Sequence, residues 1–422
     1  MRISYVQQHF ATNRGEAGVR GYNLVRTFVE RGHDVTVICG HNWRDSAMAA
    51  DDGERVIERE IDGFRVVQLA VFYSNHQPFL KRVWSFVLFG LLACREVLRR
   101  PADLIFASST PLTVSIPAMC ALLLKRTPYV FEVRDLWPDL PIAMGIITNP
   151  VARWALLAWE RAAYKMASRL VALAPGIKTG IERKAHVPPE HVAMIPNGCD
   201  TEMITPIERS HRELLEIPDY ALVFGYTGTH GLANGLDAVL DAAAELQRRG
   251  IDDVAFVLVG DGREKPRLQQ RARDEELANV HFADLVNKTV YNRLLGEIDV
   301  GLQILANVPA FYYGTSPNKF FDYLAAGRPV VVNYPGWMSD LVTENGCGFA
   351  VPPDDPVAFA DAVERIRRDR HELAAMGVAG RALAETRFSQ RTILAELSEF
   401  VEALAQPASE PVRVGEVVGD GQ

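Results

Sequence analysis

The run Thr315-Ser316-Pro317-Asn318-Lys319-Phe320-Phe321-Asp322 gathers polar side chains, one cation and one carboxylate into a single short segment. Ser316 or Thr315 can cap a helix with Pro317 at its first position. The unpaired N–H groups and positive dipole end of a helix start suit a phosphate. Asp322, about one turn deeper, can hold the hydroxyls of a ribose. Gly327 stops the helix, and Val330, Val331 and Val332 read as a buried strand. One short element could therefore grip a nucleotide diphosphate at both ends. An ordinary capped helix in a sheet protein carries the same pattern, so both readings stay open at this point.

Two more glycine loops lie in the same half of the chain, each after a predicted strand. They are Thr227-Gly228-Thr229-His230-Gly231 and Gly260-Asp261-Gly262-Arg263. Glycine lets main-chain N–H groups approach a phosphate or base closely. Turns of α/β proteins also use glycine for geometry alone. In the first half, Glu132-Val133-Arg134-Asp135-Leu136-Trp137-Pro138-Asp139 concentrates charge after a predicted strand. Glu132 or Asp135 could act as a base or position an acceptor, and Arg134 could meet a phosphate. The alternative is an ion pair of Arg134 with Asp135 or Asp139 that shapes a loop.

Other chemistries are disfavoured. No Gly-x-Gly-x-x-Gly follows the first strand, and no Walker-type Gly-Lys-Ser/Thr occurs. The chain has no Asp-x-Asp triplet, which counts against a sugar transferase that chelates its donor through a metal. The ten histidines show no zinc spacing, and the five cysteines are scattered without a Cys-x-x-Cys pair. A metal site is therefore not expected, and a reducing cytoplasm fits. The net charge of −8 argues against a general nucleic-acid binder. Met1-Arg2 leads directly into a first strand, so no signal peptide is expected. The longest uncharged apolar stretch, 83–94, is too short to span a bilayer, which needs about 20 residues.

These candidates need elements to hold them. A chain of 422 residues suits two domains. Strands are expected at 3–6, 35–39, 64–69, 104–107, 129–133, 170–174, 192–195, 223–226, 255–259, 280–282, 300–304 and 330–332. Helices are expected at 19–31, 83–99, 151–168, 236–249, 265–276 and 357–368. This alternation implies parallel sheets covered on both faces. The pattern restarts near 223, so the fold class is α/β with two doubly wound, Rossmann-like domains facing across a cleft. The expected division is 1–196, then 197–384, then a helix over 385–405 that returns to the first domain, then a mobile tail over 406–422. Lys81, Arg82, Arg95, Arg99 and Arg100 flank one apolar helix. Arg153, Arg161, Lys165 and Arg169 share a face of another, with Trp154 and Trp159 nearby. Such faces suggest contact with anionic lipid headgroups, or core helices with solvated ends.

The chain resembles a family-4 glycosyltransferase of the GT-B fold, in the bacterial branch that builds O-antigens, capsules and exopolysaccharides. The resemblance spans roughly residues 1 to 400. It rests on Arg31-Gly32-His33-Asp34-Val35-Thr36-Val37, Ile195-Pro196-Asn197-Gly198-Cys199-Asp200, Leu258-Val259-Gly260-Asp261-Gly262, the run from Asn318 to Val331, and the segment from Phe131 to Asp139. It implies a hexosyl or N-acetylhexosaminyl transfer from a nucleotide-diphosphate sugar, expected to be UDP-linked. The acceptor would be a saccharide on a lipid such as polyprenyl diphosphate. Retention of anomeric configuration is implied, with no cofactor or metal required, at the inner face of the cell membrane. Main-chain amides and cations would stabilise the leaving diphosphate.

On that basis Lys319 with Ser316, Pro317 and Asn318 would hold the diphosphate. Asp322 would bind ribose, and Gly228, Thr229 and Gly231 would line the donor phosphates. Gly260, Asp261, Gly262 and Arg263 complete the donor set. Asp135, Glu132 and Lys319 are the catalytic candidates, and Gly18, Arg20 and Arg134 the acceptor or phosphate contacts. Three departures stand out. The family's first acidic position is Gly314 here, Thr229 or His230 and Asn234 stand where arginine and lysine are common, and Arg134-Asp135 replaces His-Asp. Alternative functions are a nucleotide-sugar 2-epimerase of the same fold, a non-catalytic nucleotide-binding partner, and, less favoured, an NAD-dependent oxidoreductase.

Overall fold

A computed structural model describes residues 1–15, 20–42, 45–48, 55–74, 77–207, 212–215 and 217–404. Apolar runs rich in Val and Ile form strands buried on both faces. The first sheet comprises β1 (Arg2–Val6), β2 (Asp34–Gly40), β3 (Val56–Ile61), β4 (Phe64–Leu69), β5 (Leu104–Ser108), β6 (Tyr129–Val133), β7 (Arg169–Ala172) and β8 (Val192–Met194). Its order is β3-β4-β2-β1-β5-β6-β7-β8. All pairs are parallel except β3 with β4. The second sheet comprises β9 (Leu222–Thr227), β10 (Val254–Val259), β11 (Val280–Ala283), β12 (Val300–Gln303), β13 (Val330–Val332) and β14 (Gly348–Ala350). Its order is β11-β10-β9-β12-β13-β14, wholly parallel.

The expected strands appear within two residues of their bounds, and β4, β6 and β13 match at both ends. The sequence reading missed β3 and β14. β3 is a half-exposed edge strand joined to β4 by Asp62-Gly63, both with positive φ. That dipeptide is itself a hairpin signal. β14 has only three residues, and a Cβ on Gly348 would stand 2.0 Å from the Val330 carbonyl oxygen. The strand can therefore lie against β13 only as glycine.

The crossing between the two sheets is bonded on both sides. Ile195 N–H continues the ladder to the Ala172 carbonyl, and the carbonyls of Ile195 and Pro196 accept from Arg20. The helix over His371–Arg387 runs through the expected boundary at 384–385; the chain turns instead at Phe388–Ser389. Ser389 then caps the helix Gln390–Glu402 by accepting from Thr392 N–H. This helix lies against the first unit. Glu402 binds Arg31 at 2.6 Å and His33 at 2.8 Å, and the Phe400 ring sits beneath Arg169. The expected tail, 406–422, lies outside the described residues.

Candidate active site

The helix Asn318–Ala325 opens without a side-chain cap, with Pro317 at the N-cap position. This corrects the expected capping by Ser316 or Thr315. Ser316 Oγ instead accepts from Asn197 N–H at 3.0 Å, and Thr315 Oγ1 donates to the Phe311 carbonyl. Asn197 also donates its side-chain amide to the Ser316 carbonyl at 2.5 Å. The N–H groups of Asn318 and Lys319 donate no hydrogen bond among the described residues. An uncapped helix start at the mouth of a cleft is an anion site.

Lys319 and Asp322 lie three residues apart and so share a helix face. Lys319 Nζ sits 3.5 Å from the centre of the Tyr226 ring. Burial pushes its pKa well below the ordinary lysine value. Asp322 borders a cavity of about 110 Å³ together with Arg20, Asn197, Gly198, Tyr291 and Asn318. In that wall the Oδ1 of Asn197 is buried without a partner among the described residues. The Tyr291 hydroxyl lies 3.5 Å from Asp322 Oδ2. A larger hollow of about 320 Å³ sits near Leu277 and Val280, at the amino end of β11. Ligands of parallel sheets bind at the carboxyl ends of strands, so the smaller cavity is the relevant one.

The glycine loops divide by role. Gly260 (φ 149°) and Gly262 (φ 157°) admit the neighbouring loop: a Cβ there would stand 1.8 Å from the Gly228 carbonyl and 2.4 Å from the His230 carbonyl. For these two the geometric reading holds. Their amides are also occupied, Gly260 N–H on the Ala283 carbonyl and Gly262 N–H on Asp261 Oδ1. Gly228 N–H donates to Val259, so it corrects the expected phosphate contact. Its role is to make room, since a Cβ would lie 2.9 Å from Lys319 Nζ. Thr229 and Gly231 keep amides that donate no hydrogen bond among the described residues. Arg263 is exposed.

Sequence reasoning passed over Lys265, which braces these loops by donating to the carbonyls of Gly260 and Ala283 and to Asp284. It also left His230 without a role. That ring is fully buried, with both nitrogens unpartnered among the described residues. Burial, then the charges of Lys265 and Lys319, lower its pKa to about 4, so it is neutral.

In the first unit the structure separates the two acidic candidates. Glu132 is 1% exposed; one oxygen accepts from Arg20 Nε at 2.9 Å and the other from Ser108 Oγ at 2.6 Å. Burial favours its neutral form, but Arg20, Arg134 and the Ser108 hydrogen bond outweigh this and lower its pKa. Glu132 is thus committed to positioning Arg20, which corrects its reading as a base. Arg20, expected as an acceptor or phosphate contact, gives three of its N–H groups to Glu132 and the two crossing carbonyls while it lines the Asp322 cavity. Asp135 differs. Burial raises its pKa, only partly opposed by Arg134 and by Thr110 Oγ1, which donates to it at 3.1 Å. It is the carboxylate suited to exchange a proton.

Arg134 forms no ion pair with Asp135 or Asp139; Lys184 holds Asp139 and Glu160 instead. Gly18 lies outside the described residues. At Gly314 a Cβ would meet the Ala310 carbonyl at 2.8 Å, so a carboxylate there would need the turn to shift. The neighbouring Tyr313 carbonyl accepts from Gly176 N–H at 2.8 Å, a direct contact between the two units. His9, after β1, is a further residue that sequence reading missed. Its ring packs on Tyr73 with centroids 4.3 Å apart.

Comparison with known proteins agrees with this architecture. Residues 15–198 match the Glycosyl transferase 4-like domain, and residues 221–369 match Glycosyl transferases group 1. The chain is 24% identical over 281 residues to "Probable glycosyltransferase WbjE" of Pseudomonas aeruginosa, covering 65% of this chain and 68% of that protein. It is 24% identical over 172 residues to the amylovoran biosynthesis glycosyltransferase AmsK of Erwinia amylovora, covering 40% of this chain and 42% of that protein. The structure of Anabaena HepE in complex with UDP-glucose superposes with a TM-score of 0.67 at 18% identity, covering 96% of this chain and 100% of that one. Both halves of the cleft are thereby accounted for, and the chain belongs to the family-4 glycosyltransferases of the GT-B fold.

Proposed function

We propose that this protein transfers a sugar from a UDP-sugar to a saccharide carried on a lipid diphosphate, with retention of anomeric configuration. The observation that carries the reading is the joint geometry of Lys319, Asp322 and the uncapped amides of Asn318 and Lys319. The UDP-glucose complex of HepE supports the choice of donor. The relative named for amylovoran biosynthesis supports a role in glycan assembly.

In the reaction the acceptor hydroxyl oxygen bonds to the anomeric carbon as the bond from that carbon to the β-phosphate oxygen breaks. The departing diphosphate gathers negative charge, which Lys319 and the free amides of Thr229 and Gly231 offset. The hydroxyl proton leaves to the departing phosphate or to Asp135. No metal is needed if these groups carry the charge. Among the described residues no three His, Cys, Asp or Glu side chains group as metal ligands.

A membrane-facing surface accompanies this chemistry. Leu80 and Trp84 of the helix Phe79–Arg99, Leu123 and Leu124 of the helix Ser115–Lys125, and Trp154 of the helix Pro150–Met166 are all exposed. Lys81, Arg95 and Arg99 are exposed on the first of these helices. Apolar side chains rimmed by cations suit an anionic bilayer surface. No described helix is long and apolar enough to cross a membrane.

The test is incubation with a panel of nucleotide sugars and a lipid-linked saccharide. Release of UDP with elongation of the acceptor is expected. Folded protein that elongates nothing would overturn the reading, and conversion of donor without acceptor would point to a 2-epimerase.

A further inference from the structure

β1, β5 and β6 are neighbours in the first sheet and run parallel. The residues just past their carboxyl ends therefore meet at one edge: His9 after β1, Thr110 after β5, and Arg134 with Asp135 after β6. The helix Phe79–Arg99 brings Arg82 to the same place. Its guanidinium lies 5.7 Å from the centre of the Tyr73 ring, and Tyr73 stacks on Phe86 and packs at a tilt against His9. His9, Tyr73 and Phe86 thus form an aromatic wall with the Arg82 guanidinium beside it, and Arg134, just past β6, acts on His9 through its charge.

Neither guanidinium forms a salt bridge with a carboxylate among the described residues. The Arg134 guanidinium donates no hydrogen bond among the described residues, and Arg82 Nε is shielded from solvent without a partner. The carboxylates of Glu132 and Asp135 both face Arg134, but their hydrogen bonds go to Arg20, Ser108 and Thr110. Burial, then Arg134, then Arg82, lower the His9 pKa to about 4, so the ring adds no positive charge while the pocket is empty. Two partly desolvated cations beside a neutral imidazole favour a bound anion that bridges them.

We infer that Arg82, Arg134 and His9 form the pocket that grips the phosphate of the acceptor. The inference rests on the acceptor reading above and deepens it. The phosphate would sit between the two guanidinium groups, and the aromatic wall would exclude water from them. Leu80, Val83 and Trp84 flank Arg82 on the exposed side of the same helix. A lipid attached to the phosphate would therefore leave the pocket across an apolar surface. Asp135 stands beside Arg134, where the sugar carrying the phosphate would begin.

The test uses the full chain saturated with UDP, so that the donor site is occupied. It is titrated with inorganic pyrophosphate, farnesyl diphosphate and farnesol. Arg82→Gln and Arg134→Gln are each expected to weaken both phosphate ligands by about tenfold, while a UDP titration of each variant stays unchanged and reports on folding. In the parent, NMR titration of the His9 ring is expected to show its midpoint rising from about 4 when pyrophosphate binds, because an anion favours the imidazolium. Farnesyl diphosphate binding more tightly than pyrophosphate would assign a lipid-linked acceptor. Equal affinities would assign a water-soluble phosphorylated one, and both results support the pocket. Unchanged affinities in both arginine variants, farnesol binding as well as farnesyl diphosphate, or a His9 midpoint indifferent to ligand would each overturn it. If UDP itself does not bind, the donor reading falls, while the arginine comparison is still read with farnesyl diphosphate alone.

Discussion

Lys319 Nζ lies 3.5 Å from the centre of the Tyr226 ring, held there because Gly228 has no side chain. The ring face offers the ammonium partial compensation for lost water, yet burial still depresses its pKa. A diphosphate arriving at the helix start would complete that compensation. Lys319→Ala is expected to lower kcat by about 100-fold and to weaken UDP binding by a smaller factor. Steady-state rates and UDP titration check this. Losses of equal size would mean that the lysine acts on bound donor as much as on the transition state. Gly228→Ala, which crowds the ammonium at a φ of 136°, is expected to act in the same direction.

The same lysine predicts a proton signature. Its pKa in the free fold lies below the unfolded value, so the unfolded chain binds more protons between the two values. Stability therefore rises with pH across that window. Donor binding should return the ammonium, so UDP is expected to take up a proton there. Calorimetry in buffers of differing ionisation enthalpy measures the uptake, and Lys319→Met should abolish it.

Glu132 and Asp135 should fail differently. Glu132→Gln leaves Arg20 charged and buried, and is expected to cost about 3 kcal/mol in urea unfolding while the folded fraction stays active. Asp135→Asn is expected to lower kcat by about 100-fold with little change in stability. Because burial raises the Asp135 pKa, the parent's activity should decline on the acid side from a pH above the ordinary aspartate value of about 3.9. The asparagine variant should lack that limb.

The contact of Glu402 with Arg31 and His33 fastens the last helix. Arg31 first, then His33, lower the Glu402 pKa to about 2. A depressed carboxylate stabilises above its unfolded pKa, and the contribution is lost as pH falls through the folded value. Hydrogen exchange over 390–402, taken relative to the intrinsic amide rate at each pH, is therefore expected to be steady from pH 7 to about 5 and to rise below about 4. Glu402→Gln should raise it already at pH 7, at a stability cost of at most about 1 kcal/mol for so exposed a contact.

For the outer surface, Lys81, Arg95 and Arg99 changed together to Glu, or Trp84→Ser alone, should reduce sedimentation with anionic vesicles. Charge reversal should matter more at low salt, since exposed charges are screened beyond about 10 Å at 0.1 M. A pellet unchanged in both variants would remove the membrane reading.

Much of the fold was legible because its strands are continuous apolar runs. β6 reads from Tyr129 to Val133 in sequence and structure alike, with all five residues buried. The donor helix was legible from Pro317, Asp322 and Gly327. What escaped depended on distant partners. Ser316 looks like a cap until Asn197, far away in the chain, is seen to claim its hydroxyl. Glu132 looks like a base until Arg20 arrives beside it. His9 carries no motif, and only the packing of Tyr73 and Phe86 makes it a wall. β3 could have been found from Asp62-Gly63, so there the signal existed and was overlooked.

The strand-to-strand crossing is tied at each end: Arg20 holds the Ile195 and Pro196 carbonyls, and Asn197 holds Ser316. The lobes are thus not joined by a slack tether. Any swing wide enough to admit a donor must either pivot beyond Asn197 or release Ser316. The grip on the leaving group and the seat of the incoming nucleophile would then be set in register by the chain itself as the jaws shut.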